Sequence, residues 1–419
     1  MIQNDDQNIK TDIKWSEEEG LLRVFIRELL LIIKCDILEH NGDLALTRLV
    51  WFRPLSFMGT TKATYEDVWQ DEAQKILHIS SSNIKCFSES EAPYYYFNKK
   101  NYIKNSDAVT VIDIGGGSTD FVYFKDNTPV MANSIHFGCD VLWENGYVEF
   151  DDAKDNGIYN RYKGTLHFSN ENLETINENF KIEKGVKTKD IINFWLSNNE
   201  DCGIIKLLNR DFKAVFVYHL TAILYYMASM YKANNCEAPK TVVFSGNGSK
   251  YIDNFICSDP RVLRKIIDLV FSKVYGGEHH VNLELPEERK ESTCYGGLFR
   301  DPDTDDVEEK VYQGDDSLEY KTVGDINEHL DTLRNTLQKK YAEMNKVYKE
   351  VLDLLKRQQI LDNTADTSKY VDKAEEDMTT PFNTHYKKQV KEHFSDETSL
   401  HDSVFFIPII DRIFEMTKI

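Results

Sequence analysis

The sequence predicts an α/β fold, and three observations carry that prediction. An apolar strand at 109–114 runs into an acidic residue, three glycines and a hydroxyl pair before a second strand begins. A second apolar strand at 241–245 runs into another glycine-bearing loop. Helical and strand patterns alternate on both sides of these two turns.

The elements follow in order. Residues 16–40 place Leu21, Val24, Phe25, Leu29, Ile32 and Ile33 at helical spacing. Leu44–Phe52 reads as a strand stopped by Pro54, followed by a helix over about 62–78 and a short strand at Ile84–Phe87. Strands at about 108–114, 119–125 and 129–136 form a meander. Glu149 to Arg210 is rich in Asn, Lys and Asp. Helix 211–233 returns the chain, with Phe212, Phe216, Tyr218, Tyr225 and Tyr226 as core aromatics.

The stretch VTVIDIGGGSTDFVYF at 109–124 carries the most chemistry. Gly115, Gly116 and Gly117 let backbone N–H groups approach a ligand where a Cβ would collide, which is how a phosphate is cradled. Ser118 and Thr119 add hydroxyls. Asp113, at the strand end, is placed to face Mg²⁺, a hard ion that takes oxygen ligands and keeps part of its water shell. An ordinary glycine turn would explain the glycines and leave Asp113, Ser118 and Asp120 without a role.

This fingerprint resembles the second phosphate loop of the superfamily that includes actin, the sugar kinases and the seventy-kilodalton heat-shock chaperones. Three further segments of that superfamily follow in order. FSESEAPYYYF at 87–97 resembles the first connecting helix, and Glu89 matches the family's water-orienting glutamate, with Glu91 as its rival. TVVFSGNGSKYIDNF at 241–255 resembles the adenosine loop, with Gly246, Asn247, Gly248 and Ser249 at the turn. Lys250 stands where the chaperones place a basic side chain against adenine. ESTCYGGLFR at 291–300 resembles the second connecting helix, its Gly296 and Gly297 allowing close packing.

The resemblance implies actin-like ATPase (ribonuclease H-like) lobes that hold ATP or ADP with Mg²⁺. Asp113 would position the ion, Glu89 would orient or activate water, and Asp120 would assist. It also implies an opening strand, hairpin and first phosphate loop of the Asp-x-Gly-Thr kind, and none precedes Asp113 in the sequence. The expectation is an incomplete first lobe over 1–106, belonging to a fragment of a longer protein or to a degenerate member. A second lobe would cover 107–300, with its outer subdomain at about 149–210, then an acidic linker over 301–322 and a helical extension over 323–419.

Composition narrows the function classes. A net charge of −20 argues against nonspecific nucleic-acid binding, which relies on Lys and Arg neutralising phosphate. The apolar cluster Leu29–Ile33 is too short for a membrane span, and no leader is visible, so no membrane and a cytoplasmic location are expected. The seven cysteines lack a Cys-x-x-Cys pair and read as reduced core thiols. His279 and His280 read as exposed loop rather than as a metal cluster.

The tail distinguishes members of the superfamily. A long helix over about 325–361, opened by Asp325 and Glu328 as a capping box, carries a heptad. Val323, Leu330, Leu337, Met344 and Val351 stand at a, with Ile326, Leu333, Val347, Leu354 and Leu361 at d. The stripe fits a coiled coil, by self-association or with a protein partner through 323–361, and equally a helix docked on the body. Residues 362–400 read as polar with few anchors, and Val404–Met416 as a final docked element. No run of short strands follows residue 300, which disfavours a peptide-binding chaperone. Two functions stand: an ATP-binding, heat-shock-like switch for a partner with slow or absent hydrolysis, or a non-hydrolysing scaffold working through its C-terminal helices.

Overall fold

The computed structural model describes residues 19–55, 59–103, 108–146, 155–183, 185–301, 307, 310–314, 322–362, 366–392, 394–398 and 403–419. Its first part runs α1 (Glu19–Glu39), β1 (Leu49–Arg53), α2 (Gly59–Leu77), β2 (Ile84–Ser88) and α3 (Ala92–Lys99). Strands β1 and β2 pair in parallel, with Trp51 opposite Cys86 and Arg53 opposite Ser88. Helix α1 buries Leu22, Ile26 and Leu30 against α2, and its Arg23 and Arg27 both reach the buried Glu72 at 2.9 Å. The expected strand over 44–52 is shorter. Residues Leu44–Leu46 form a 3₁₀ turn capped by Asp43, whose carboxylate accepts from the Ala45 amide.

The second part opens with β3 (Ala108–Ile114), β4 (Thr119–Lys125) and β5 (Thr128–Ile135). The turn between β4 and β5 places Asp126 at φ 51° and Asn127 at φ 65°. These residue types tolerate the left-handed region that a two-residue hairpin requires. The chain continues as α4 (Gly157–Tyr162), α5 (Glu171–Ile182), α6 (Thr188–Ser197), α7 (Asn199–Cys202) and α8 (Ile204–Asp211). Asn156 and Asn170 cap α4 and α5 with their side-chain oxygens.

The chain then builds α9 (Lys213–Ala233), β6 (Thr241–Ser245), α10 (Pro260–Tyr275), β7 (Asn282–Glu284) and α11 (Ser292–Phe299). The five-stranded sheet has the order β5-β4-β3-β6-β7. Strands β3, β4 and β5 are an antiparallel meander, whereas β3, β6 and β7 run parallel. Side chains alternate across it. Ile112 and Phe121 join the large core that contains α9, while Val109, Val111, Val122 and Val243 face Tyr94 and Phe97 of α3. Helix α9 is long and apolar enough to cross a membrane, and its whole apolar stretch is buried inside the protein. A helix apolar all round belongs in a core of this kind.

Two helices join the halves. A Cβ on Gly296 of α11 would fall on the Ala92 carbonyl of α3, and one on Gly297 would fall on the Phe52 ring. Only glycine permits that approach. Beside the crossing, Glu91 and Arg300 form an ion pair at 3.2 Å with both side chains fully buried. The Val307 amide donates to the same carboxylate at 3.0 Å, and the guanidinium lies 4.4 Å from the Phe87 ring centroid.

The C-terminal region departs from expectation in three ways. The long helix is two helices, α12 (Val323–Glu328) and α13 (Leu330–Arg357). Its capping box is Thr322 with Asp325, one turn earlier than Asp325 with Glu328. Secondly, the apolar stripe is buried within the chain: Leu333, Leu337, Met344, Val347 and Val351 join the core that contains α9 and α10. The docked-helix alternative therefore describes α13. Thirdly, residues 362–400 carry more structure than their polarity suggested, with α14 (Ser368–Glu375) and α15 (Thr379–Tyr386) anchored by Tyr370, Phe382 and Tyr386. Helix α16 (Ile407–Thr417) closes the chain as a buried element. Much of the expected linker lies outside the described residues. Its residues 310–314 lie against β5, where the Lys310 amide donates to Ala132 and the Asn133 amide group donates back to Lys310.

The strand order and helix crossing give an actin-like ATPase fold, with helices and a two-stranded sheet before it and a helical extension after it. Replacing Glu91 by Gln would leave the Arg300 charge buried without its counter-ion. Urea denaturation should show about 3 kcal/mol lost, the scale for breaking a buried pair, whereas Glu89→Gln in the same assay should change stability by less than about 1 kcal/mol.

Candidate functional site

Parallel pairing of β3 with β6 puts Asp113 opposite Ser245, so both strands end side by side. In sheets of this kind the carboxyl ends of parallel strands form the ligand crevice. Strand β2 of the other sheet ends at the same place, where the Glu89 amide donates to Arg53 at 3.0 Å. The resulting cleft holds about 390 Å³. Among the predicted residues it is lined by Glu89, Asp113, Gly115, Gly116, Ser118, Asp120 and Gly246 to Gly248.

The glycine turn is closed by the Gly115 amide donating to Ser118 at 2.8 Å. Among the described residues the N–H groups of Gly116, Gly117 and Ser118 meet no acceptor, which leaves three successive donors in one turn. The opposite loop packs directly on it. A Cβ on Gly246, at φ 77°, would fall on Asp113 and the Ile114 carbonyl, and one on Gly248 would fall on the Gly115 and Ile114 carbonyls. Here the glycines are required by close approach of two backbones.

The carboxylates differ sharply. Asp113 is pushed up to about 7 by burial first, then by the nearby Asp120 and Glu89 charges, against the opposing Ser245 hydrogen bond. Asp120 is 8% exposed and accepts from Ser90 at 2.7 Å and Ser134 at 2.6 Å. The two serines hold its carboxylate beside Asp113, its partner across the β3–β4 pair. Of the two candidate glutamates, Glu89 lines the cleft and Glu91 is the buried partner of Arg300.

Three predicted ligand residues stand elsewhere. Gly117 belongs to the donor turn and is not part of the cleft lining. Ser249 is buried behind the loop, donating to Gly246 at 2.7 Å and accepting from Arg289 at 3.3 Å. Lys250 is exposed and outside the lining. The sequence reading missed Phe52, Arg289, Lys290, Thr293 and Cys294, which also line the cleft. Arg289 is buried and fixed by Pro286 at 2.9 Å and Asp253 at 2.5 Å, whereas Lys290 is exposed. Two adjacent basic residues just before the ESTCYGG segment were the available signal.

Among the described residues no group of three or more His, Cys, Asp or Glu is arranged to hold a metal ion. Asp113 alone fits Mg²⁺ as the ion binds in phosphate sites, where one carboxylate, water and ligand phosphates complete the shell. Its raised pKa marks uncompensated negative charge of the sort a cation relieves.

Residues 37–189 match the model of the Ppx/GppA phosphatase family, a stretch that contains Glu89, Asp113, the glycine turn and Asp120. No curated protein matches the sequence. Similar solved structures include the ethanolamine utilization protein EutJ from Carboxydothermus hydrogenoformans, at 13% identity and TM-score 0.34 over 66% of this chain and 75% of that one. MreB5 of Spiroplasma citri bound to ADP is similar at 11% identity and TM-score 0.33, over 67% and 74%.

Because Asp113 holds its proton in the folded chain up to about pH 7, while an unfolded aspartate loses it near pH 4, the native state binds more protons between those values. Its contribution to stability therefore falls as pH rises from about 4 to 7 and is flat above. Asp113→Asn should melt higher than the parent chain at pH 8, and the gap should close as thermal melts are repeated toward pH 4.

Proposed function

We propose that the chain binds ATP or ADP with Mg²⁺ in this cleft, and that the bound nucleotide sets the angle between the lobes as a switch, with hydrolysis slow or absent. The observation that carries this reading is the convergence of Gly116 and Ser118, whose amides meet no acceptor among the described residues, with Asp113 and the Gly246–Gly248 loop around one cleft. The amides would receive phosphate oxygens, and the Gly246–Ser249 turn would lie along the adenosine. Lys290 would add positive charge at the rim.

Asp113 would hold the ion's shell once a cation displaced its proton, and affinity for the chelate should therefore rise as pH passes about 7. When bound, the ion neutralises phosphate charge. Glu89, across the cleft from Asp113, would orient water and accept its proton. Asp120 would act through Asp113, by keeping its carboxylate in place and its field negative. Phosphoryl transfer depends mainly on positioning and charge stabilisation, so turnover would be set by how closely Glu89, Asp113 and the glycine turn converge on the ligand.

The family match favours a second reading. A Ppx/GppA phosphatase family segment containing Glu89 and the glycine turn fits hydrolysis of a phosphoric anhydride in the same cleft. A scaffold working through the C-terminal helices would have to use surfaces other than the stripe of α13, which is buried within the chain.

Calorimetric titration with Mg·ATP and Mg·ADP is the test. Saturable binding lost at least tenfold in Asp113→Ala, and retained in Glu89→Gln, is the expected result. Absence of binding at millimolar nucleotide by a folded chain would refute the nucleotide reading. Phosphate release that disappears in Glu89→Gln would favour the phosphatase reading over the slow switch.

A further inference from the structure

A buried histidine behind the cleft has no part in nucleotide binding as proposed. His219, on α9, is 0% exposed, and its ring stacks on Phe137 with centroids 4.5 Å apart. Burial holds it down to about 3, so it is neutral across the physiological range. Both ring nitrogens are engaged: Nε2 stands 3.0 Å from the Gly138 carbonyl oxygen, and Nδ1 stands 2.9 Å from the Tyr251 hydroxyl.

These partners fix the tautomer. A carbonyl oxygen can only accept, so Nε2 carries the proton and donates to Gly138. In a neutral ring Nδ1 is then the acceptor, and Tyr251 donates to it. The hydrogen-bond direction therefore runs from Tyr251 through the imidazole to Gly138.

One end of that line is tied to the loop after β6, and the other lies against the glycine turn. The Tyr251 amide donates to Gly248 at 3.1 Å, which ties the tyrosine to the loop after β6. Gly138 lies so close to the glycine turn that a Cβ there would fall on the Gly116 carbonyl. Its neighbours complete the clamp: the Cys139 amide donates to Gly115 at 3.0 Å and the Asp140 amide to Gly116 at 2.8 Å. The carbonyls of the turn are thus held by the Gly138–Asp140 backbone.

We infer that His219 is a positioning residue, bridging the loop after β6 to the back of the Gly115–Ser118 turn so that the geometry of one depends on that of the other. In a cleft that takes a nucleotide, an inference resting on the function proposed above, the bridge couples adenosine seating to phosphate binding. A ring merely filling core space would need neither polar partner, and a phenyl ring would serve.

The test uses Tyr251→Phe, which deletes one oxygen and leaves the packing ring in place, with His219→Phe as the second variant. In the ligand-free chain, hydrogen exchange of the Cys139 and Asp140 amides should quicken about threefold to tenfold in Tyr251→Phe, the usual worth of one buried hydrogen bond. Amides of the β1–β2 sheet should be unchanged. Adding Tyr251→Phe to His219→Phe should give no further increase, because the bridge is already broken. Unchanged exchange at Cys139 and Asp140 in Tyr251→Phe, or strictly additive effects, would overturn the proposal. The two readings fail separately. A chain that binds no Mg·ATP yet shows the coupled exchange keeps the bridge and loses the nucleotide. A chain that binds Mg·ATP with an affinity and exchange pattern untouched by Tyr251→Phe keeps the nucleotide and loses the bridge.

Discussion

The parallel pairing of β3 with β6 is the constraint on which the site rests. It sets Asp113 opposite Ser245 and forces the two following loops into contact. Two backbones can meet there only because Gly246 and Gly248 carry no side chain to strike Ile114 and Gly115. The cleft follows from that adjacency, whereas the raised pKa of Asp113 comes from burial and from Asp120, its partner across the β3–β4 pair. A residue with a Cβ at either glycine would push the loops apart, whatever the ligand.

The second constraint lies at the crossing of α3 and α11. Gly296 lets the helices touch, and the enclosed Glu91–Arg300 pair fixes their relative placement with a charge interaction that cannot be left half made. Glu89 stands two residues before Glu91, so the wall of the cleft that carries it is set by the hinge. Any change in lobe angle would move Glu89 relative to Asp113. The two neighbouring glutamates thus serve different ends, Glu91 buried against Arg300 and Glu89 lining the cleft.

Much of this was legible in the sequence, for physical reasons. A run of glycines between an acidic strand end and a hydroxyl pair is needed where a backbone must meet a ligand or a second backbone, so the turn at 115–118 and the loop at 246–249 were readable as they stand. Strand and helix bounds around them follow from apolar period. What could not be read was the assignment between Glu89 and Glu91, because it depends on Arg300, more than two hundred residues away. The role of His219 was hidden likewise, since its partners Gly138 and Tyr251 are distant in sequence and its helix reads as uniform core. The heptad at 323–361 showed an apolar stripe but not what covers it. The side of α13 that a coiled coil would use is filled by the core of the same chain.

Whether a nucleotide sits in the cleft between Asp113 and Gly248 decides what the site does. A crystal structure of the chain grown with Mg·ADP tests that most directly. It should show the β-phosphate within hydrogen-bonding distance of the Gly116–Ser118 amides and the ribose beside Gly246–Gly248. Nucleotide bound at another surface, or a cleft free of density at saturating ligand, would contradict it.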